Sequence, residues 1–284
     1  MAALPVEAAG LPYRGAFGGR RPASLGILPL PPGAMPPRHG LRPLKAWRYV
    51  GAFGPELMLC LASVRIGPAR QSFWAVWDRR AGRLHERTAI GRGGVALAYG
   101  RARMANRDAS IDLALDEVAG IETVCRSGQG YAWTRKQGGI RAAGEVEIAG
   151  RRIALEARAV IDDTAAYYER HTRWRWSAGA GRTDDGRDLA WNLVSGVNDP
   201  PEASERTVWL DGEPREPGPS TFAEDLRSVD GLRFRPEAVR ERRDNLLLIR
   251  SSYRQPFGTF SGELPGGLRL AEGYGVMEEH EAIW

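Results

Sequence analysis

Residues 144–162 read GEVEIAGRRIALEARAVID, and apolar and polar side chains alternate along both halves of this stretch. Val146 and Ile148 alternate with glutamates before a turn at 149–150, and the alternation then continues through Leu155. A period of two is typical of a strand with one buried face and one solvated face. The stretch therefore predicts a β-hairpin.

Similar short segments, rich in β-branched and aromatic residues and separated by glycine turns, fill the chain from Lys45 onward. Ile111, Leu113 and Leu115 alternate with small or acidic residues in the same way. Strands of this length and spacing predict an antiparallel sandwich or barrel. No strand-helix alternation accompanies them, which excludes a Rossmann-like unit and its phosphate loop. We predict a mostly β fold.

The domain organisation follows from where the composition changes. Residues 1–44 hold nine of the 19 prolines and predict a Pro-rich N-terminal arm. Residues 45–161 and 162–284 carry similar strand patterns, so we predict a first and a second β-barrel-like domain. The segment Asp163–Glu169 is expected to join them as a helical turn or short helix. The arm either plugs an opening or is a disordered leader, and its apolar residues are Leu25, Ile27, Leu28 and Leu30.

The charge distribution bears on possible partners. The formal net charge is +5, yet residues 1–45 alone hold six basic residues and one acidic residue. The remainder has 34 of each sign, which excludes a basic surface for nucleic acid. Only Lys45 and Lys136 are lysines among the 40 basic residues. We attribute this skew to genome composition and infer no partner from it.

Localisation is predicted from hydropathy and cysteine content. No apolar run reaches the about 18 residues of an integral membrane segment. Cys60 and Cys125 are too few for a disulfide framework and are expected to be reduced core thiols. Prolines interrupt the stretch after Arg20-Arg21, which argues against an export signal. A soluble, cytoplasmic protein of open oligomeric state is expected.

The stretch 162–199 contains the densest group of aromatic and polar residues. Trp174 and Trp176 are two residues apart, so on a strand both side chains lie on one face. This pattern predicts either an aromatic wall for an apolar ligand or an ordinary core layer. The sequence leaves both interpretations open.

Other residues of this stretch are candidates for ligand contacts. Asn192 is an amide between apolar neighbours and needs a hydrogen-bond partner or a ligand. Asp162 and Asp163 point to opposite faces of a strand, so at most one enters a shared site. His171 is either a site residue or a hydrogen-bonded structural histidine. The candidate ligand-binding residues are Trp174, Trp176, Trp191, Asn192, Tyr168, His171 and Asp163.

The C-terminal residues 278–284 read EEHEAIW and form a second candidate site. Strand alternation places Glu278 and His280 on one face and Glu279 on the other. A histidine beside a carboxylate can act as a general acid or base, so His280 with Glu278 or Glu279 is the candidate catalytic group. The alternative is a solvated, frayed tail, although the final tryptophan favours docking.

The sequence predicts neither a metal nor a cofactor. Four histidines occur, none in a His-x-His or His-Glu-x-x-His arrangement. Ser195 lies in Val-Ser-Gly-Val without the Gly-x-Ser-x-Gly elbow of a serine hydrolase.

Several long motifs resemble the bacterial domain-of-unknown-function family 2804 and span Trp47 to Trp284. They are WRYVGAFGPELMLCLASVRIGP, YAWTRKQ, DDTAAYYERHTRWRWSAGAGRTDDGRDLAWNLVSGVNDPP, QPFGTFSGELPGG and GYGVMEEHEAIW. In layout the chain is more distantly similar to paired lipocalin-like proteins of the hydroxyneurosporene synthase and tocopherol cyclase type. This resemblance implies two lipocalin-like (calycin) antiparallel β-barrels packed together, with a hydrophobic small molecule at their interface or mouth. The lipocalin Gly-x-Trp signature is absent, since Lys45-Ala46 precedes Trp47.

Three functions remain open on this basis. The first is binding of a lipid or isoprenoid-like hydrophobic molecule in a β-barrel cavity, with aromatic walls and Asn192 for orientation. The second is a cofactor-independent hydratase, cyclase or isomerase in which His280 moves a proton. The third is a ligand-free interaction module whose aromatic residues are all core. Whether the protein is an enzyme is left open.

Overall fold

The computed structural model describes residues 6–91, 93–246, 249–265 and 267–284. These residues form two large antiparallel sheets and two short 3-10 helices, Val6–Ala9 and Ala23–Ile27. The prediction of a mostly β chain is therefore confirmed. No helix in these ranges is long and apolar enough to cross a lipid bilayer.

The N-terminal arm is packed against the body. Its strands are β1 (Tyr13–Ala16), β2 (Arg38–His39) and β3 (Arg42–Pro43). Strand β1 pairs with residues 121–124 of the body. Leu25, Leu28 and Leu30 are buried against Tyr131 and Tyr167. The disordered-leader alternative is wrong for this segment, because its leucines bury apolar area against the body.

The first sheet has 11 strands and curls on itself. Besides β1, its strands are β4 (Lys45–Phe53), β5 (Leu57–Ile66), β6 (Ala69–Asp78), β7 (Arg83–Ile90), β8 (Val95–Ala98), β9 (Arg101–Ala105), β10 (Ala109–Leu115), β11 (Ile121–Ser127), β12 (Gly130–Ile148) and β13 (Arg151–Ala166). Their order is β7-β6-β5-β4-β13-β12-β10-β9-β8, with β11 also paired to β12. Because β8 contacts β5 and β6, the sheet encloses an interior.

The second sheet has eight strands and also curls around a core of its own. Its strands are β14 (His171–Thr183), β15 (Asp188–Ser195), β16 (Thr207–Leu210), β17 (Glu213–Arg215), β18 (Ser228–Val229), β19 (Gly231–Leu246), β20 (Ile249–Leu264) and β21 (Leu268–Ile283). The order is β17-β16-β15-β14-β21-β20-β19-β18. The predicted class of curled antiparallel, barrel-like sheets is thus confirmed. The predicted hairpin at 144–162 forms from β12 and β13.

Strand alternation decides which side chains fill each curl. Val50 and Leu59 face the interior of the first sheet, whereas their neighbours Tyr49 and Cys60 face the second sheet. The sheets touch at a bulge in β12, where a Cβ atom on Gly138 would lie 2.3 Å from the Trp209 ring. The structure therefore has three packed layers of side chains, one inside each curl and one between the sheets.

The connector between the sheets differs from the expectation. Residues predicted to form a helical turn continue β13 to Ala166, and β14 begins at His171. Asp162 and Thr164 pair with Tyr49 and Trp47 in β4, so ladder hydrogen bonds hold this segment extended. The predicted domain boundary at 161/162 lies within a strand, and the change of sheet occurs at residues 167–170.

Candidate functional site

A cavity of about 190 Å³ lies between the two sheets. The cavity thus lies at the interface that the family resemblance implied, and not inside a barrel, because apolar side chains fill the interiors of both curls. Strands β4 to β6 and the end of β13 form one wall, and β14, β20 and β21 form the other. Its aromatic lining residues are Trp47, Tyr49, Phe73, Tyr168, Trp174, Trp176, Tyr253, His280 and Trp284.

The wall from the first sheet is a row of cross-strand neighbours. Lys136 pairs with Asp162, Asp162 with Tyr49, Tyr49 with Ala62, and Ala62 with Phe73. Residues directly opposite on neighbouring strands share a face, so all five side chains point toward the second sheet. The row changes from charged at Lys136 to aromatic at Phe73.

The wall from the second sheet is built in the same way. Trp174 pairs with His280, which pairs with Tyr253, while Trp176 pairs with Glu278 in the next row. Because these positions are two residues apart on each strand, both rows face the cavity. This confirms that Glu278 and His280 share a face.

Aromatic rings from the two sheets contact each other along the cavity. The Trp47 ring stacks on Trp174 at a centroid distance of 6.2 Å and on Tyr168 at 5.9 Å. Tyr49 meets Trp176 edge to face at 5.3 Å. Such contacts fix the orientations of the aromatic rings that line the cavity.

Charged and polar side chains form the inner end of the cavity. Lys136 Nζ lies 2.5 Å from Asp162 Oδ1 and 3.2 Å from Glu205 Oε1. Asn198 Nδ2 donates to Glu205 Oε2 at 3.0 Å and to the Tyr168 hydroxyl at 2.8 Å. Burial lowers the pKa of Lys136, but the charges of Asp162 and Glu205 outweigh it and raise that pKa overall. One buried cation thus holds two carboxylates.

Glu278 is a buried carboxyl group of a different kind. Its Oε1 accepts from Trp174 Nε1 and its Oε2 from Gln255 Nε2, each at 2.8 Å. Within the described ranges no cationic side chain forms an ion pair with it. Burial, and to a smaller extent the negative charge of Asp162, raise the pKa of Glu278 to about 7. The group therefore changes protonation near neutral pH, as a general acid or base must.

His280 has the opposite electrostatic environment. Its Nε2 lies 2.8 Å from Ser251 Oγ, and its ring lies 4.2 Å from the Trp174 ring centroid. Burial, and to a smaller extent the positive charge of Arg240, lower the pKa of His280 to about 3. The imidazole is therefore neutral at pH 7 and cannot serve as the acid.

The structure brings five of the predicted site residues to the cavity, namely Tyr168, Trp174, Trp176, Glu278 and His280. Asn192 lies behind this wall, where its Oδ1 accepts from Trp176 Nε1 at 2.8 Å. It therefore orients the indole and does not line the cavity itself.

Four predicted residues lie elsewhere. Trp191 fills the interior of the second sheet, where its indole donates to Ser177. Asp163 pairs with Arg48 on the other face of β13. Strand alternation explains both corrections, because Asp163 is one position away from Asp162, which lines the cavity, and Trp191 is one position away from Asn192, which contacts Trp176 of the cavity wall.

The other two pair with charged residues on the far side of the second sheet. His171 is exposed and contacts Glu281 at 2.6 Å. Glu279 pairs with Arg173 at 2.7 Å. Neither side chain lines the cavity, so an acid-base role at this site is left to Glu278 and His280.

Several site residues were not predicted from the sequence, above all Lys136, Asp162, Glu205, Tyr49 and Tyr253. For Lys136, the amino-acid composition contained a usable signal. The chain uses arginine almost everywhere, and both of its lysines, Lys45 and Lys136, are 1% exposed. A lysine retained against such a bias marks a buried position where a compact ammonium fits and a guanidinium does not.

Metal binding has no support from the geometry of the described ranges. No group of three or more histidine, cysteine, aspartate or glutamate side chains there could hold a metal ion.

Comparison with known proteins identifies the family. The family model described as Domain of unknown function (DUF2804) matches residues 95–216 and 217–284. The chain belongs to this family. The resemblance inferred from the motifs is thereby confirmed for DUF2804, while a search of curated proteins gave no match.

Three solved structures are similar to this DUF2804 chain. A protein from Nitrosomonas europaea provisionally assigned as AttH has 15% identity and a TM-score of 0.49, covering 89% of this chain and 98% of its own. Kievitone hydratase from Nectria haematococca has 12% identity and a TM-score of 0.49, covering 83% and 88%. CghA with Sch210972 has 10% identity and a TM-score of 0.38, covering 96% and 97%. Similarity at this level carries no inference about activity.

Proposed function

We propose that the protein binds a small, predominantly apolar molecule in the cavity between its two sheets. The observation that carries this proposal is the space itself, a partly open cavity of about 190 Å³ lined by aromatic rings from both sheets. Close packing is the rule in protein interiors, so a space of this size between two packed sheets indicates a ligand site. It argues against the ligand-free interaction module.

The volume limits the size of the ligand. A cavity of about 150 Å³ accommodates benzene, whereas drug-sized ligands occupy about 300 Å³ or more. The cavity here lies near the lower value, so it encloses one or two fused rings or a short isoprenoid unit. A longer lipid would have to extend past the mouth, where Ile90 is 65% exposed.

Tetralin, a two-ring hydrocarbon, is a suitable probe of this proposal. We expect it to bind the wild-type protein and to lose at least about tenfold in affinity in Ala62→Phe, because a phenyl ring at residue 62 fills the space. Calorimetric titration measures the affinity. Ser63→Phe is the matched control, since Ser63 is the neighbouring exposed residue.

The stability of Ala62→Phe provides an independent check. A side chain that fills a real void is tolerated, whereas one forced into a packed layer lowers the free energy of unfolding by about 1–3 kcal/mol. Absence of tetralin binding together with strong destabilisation would contradict the proposal.

A second candidate, a cofactor-independent enzyme, is favoured by Glu278. The carboxyl group faces the cavity, has a pKa of about 7 and has no ion-pair partner in the described ranges. It could give a proton to a bound apolar molecule while the sheets exclude water. Its position makes it a better candidate than His280, whose ring is neutral at pH 7.

Hydrogen-deuterium exchange into 2-tetralone, followed by NMR in D₂O, tests proton transfer without knowledge of the natural substrate. We expect the protein to accelerate exchange next to the carbonyl group, and Glu278→Gln to reduce this acceleration about 100-fold or more. Unchanged exchange in that variant would contradict the role of Glu278. Binding of tetralin by the same variant shows that its cavity is intact.

A further inference from the structure

Among the described residues, no partner meets hydrogen-bond geometry at the hydroxyl groups of two tyrosines near Glu278. Tyr49 is 5% exposed, Tyr253 is also enclosed, and both side chains line the cavity. Buried polar atoms are almost always paired, because an unpaired one loses its hydrogen bonds to water and gains none. Two such groups in one small cavity call for an explanation.

The two phenols and the Glu278 carboxyl group lie close together. The charge of Glu278 raises the pKa of both Tyr49 and Tyr253, although burial is the larger cause in each case. The Tyr253 hydroxyl approaches the carboxyl group closely enough to influence its pKa, yet without hydrogen-bond geometry. Three acidic O–H groups therefore surround one region of the cavity.

Protonation turns Glu278 from an acceptor into a donor. Its two oxygens already accept from Trp174 and Gln255, so a proton on the carboxyl group adds an O–H that is free to donate. A carboxylic acid kept neutral by an apolar site can donate a hydrogen bond to a ligand oxygen. Below pH 7 the cavity thus offers three oxygen-bound protons.

Arg240 adds positive potential at the same place. Its guanidinium carbon lies 4.0 Å from the Phe73 ring centroid and 4.8 Å from that of Tyr253. The guanidinium pairs with Glu86 Oε2 at 3.2 Å and donates to Thr88 Oγ1 at 2.7 Å, which ties β19 to β7.

The other charged or titratable groups facing this region carry one negative charge in excess. Lys136 pairs with both Asp162 and Glu205, whereas Asp244 pairs with Arg242 at 2.7 Å. His280 is neutral above a pH of about 3. The excess negative charge therefore belongs to the Lys136 cluster, and Arg240 is the charged group next to the Tyr253 phenol.

We propose that Tyr49, Tyr253 and protonated Glu278 form a three-donor site for one oxygen atom of the ligand. The ligand class is then an apolar ring compound or short isoprenoid that carries a ketone, enone or phenolate oxygen. This inference rests on the proposed function, since it names the substrate class of the same cavity. In an enzyme, the same donors stabilise negative charge that develops on a carbonyl oxygen.

A comparison of 2-tetralone with tetralin tests the three-donor site, because they share a skeleton and differ in one acceptor oxygen. At pH 6 we expect 2-tetralone to bind at least about tenfold more tightly than tetralin. Tyr253→Phe should reduce this preference about tenfold and leave tetralin affinity unchanged. Tyr49→Phe should act in the same direction.

Folding failure does not complicate these variants. Removing a hydroxyl without a partner leaves the free energy of unfolding unchanged or slightly raised, since no hydrogen bond is lost. Tyr167→Phe is the control, because Tyr167 does not line the cavity and its hydroxyl donates to the Pro36 carbonyl. It should lower stability and leave the ligand preference intact.

The infrared carbonyl stretch of bound 2-tetralone gives a second readout. Donation to the carbonyl oxygen should shift the band to lower frequency, and Tyr253→Phe should reverse part of the shift. Equal affinity for the two probes, or a preference that survives both tyrosine substitutions, would overturn the three-donor site while leaving apolar binding in place. Failure of both probes to bind would overturn the proposed function itself.

Discussion

The interior of the first sheet and the space between the sheets are formed by alternate residues of the same strands. Val50 and Leu59 lie in an interior filled by aliphatic side chains. Tyr49, one residue away, faces a cavity that also contains Lys136 and Glu278. The interior is filled and mostly apolar, whereas the space between the sheets combines aromatic rings, buried charges and a void. One sheet thus has a filled apolar face and an opposite face that lines the cavity.

A substitution of Lys136, on the cavity side of the first sheet, should cause the largest loss of stability. Lys136→Met should lower the free energy of unfolding by about 4 kcal/mol, because it leaves Asp162 and Glu205 buried without a cation. Urea denaturation at pH 7 measures the loss. Adding Asp162→Asn and Glu205→Gln should recover at least half of it, since the triple variant has no unpaired charge. A loss below about 1 kcal/mol in the single variant would show that the cluster is hydrated.

A substitution of Leu59 tests whether the interior of the first sheet is closely packed and independent of the cavity. Leu59→Ala should lower the free energy of unfolding by about 3 kcal/mol, because Leu59 is fully buried and the truncation leaves a void. Its side chain points away from the cavity, so tetralin affinity should stay within about twofold of wild type once the variant is folded. A matching loss of tetralin affinity would show that the two faces are not independent.

Glu278 gives the smallest predicted change in stability and the one that depends on pH. Its folded pKa of about 7 lies above its ordinary value of 4.5, so the protonated carboxyl group stabilises the fold below pH 4.5. That contribution is lost as the pH rises through 7. Relative to Glu278→Gln, the wild-type protein should therefore lose roughly 2 kcal/mol of unfolding free energy between pH 5 and pH 8.

The glutamine variant is a fair reference for this measurement. The Gln255 amide can rotate to present its oxygen to the new amide group, at the expense of a weak contact of 3.7 Å with Cys60. Urea denaturation of both proteins at the two pH values gives the difference, in which the contribution of His280 cancels. A pH-independent difference would mean that Glu278 has an ordinary pKa and is not a proton donor near neutrality.

Some site residues could be found from the sequence and others could not. Trp174, Trp176, Glu278 and His280 were found because alternation along β14 and β21 places them on one face. Trp191 and Asp163 were misplaced because alternation tells which residues share a face without telling which face encloses the cavity. Because side chains along a strand repeat every two residues, an error of one residue exchanges the two faces completely.

The sequence by itself determined the mostly β fold, the family and the sets of residues that share a strand face, because these follow from local periodicity and from long motifs. Only the tertiary structure decided between the interface, the mouth and the interior of a barrel as the place of the cavity, and only it showed that Lys136 meets Asp162 and Glu205 there. It also decided that Glu278 lies near Tyr49 and Tyr253 and forms no ion pair with any cation of the described residues. These residues lie up to 229 positions apart in the sequence, and sheet-on-sheet packing, which no local pattern encodes, sets their distances.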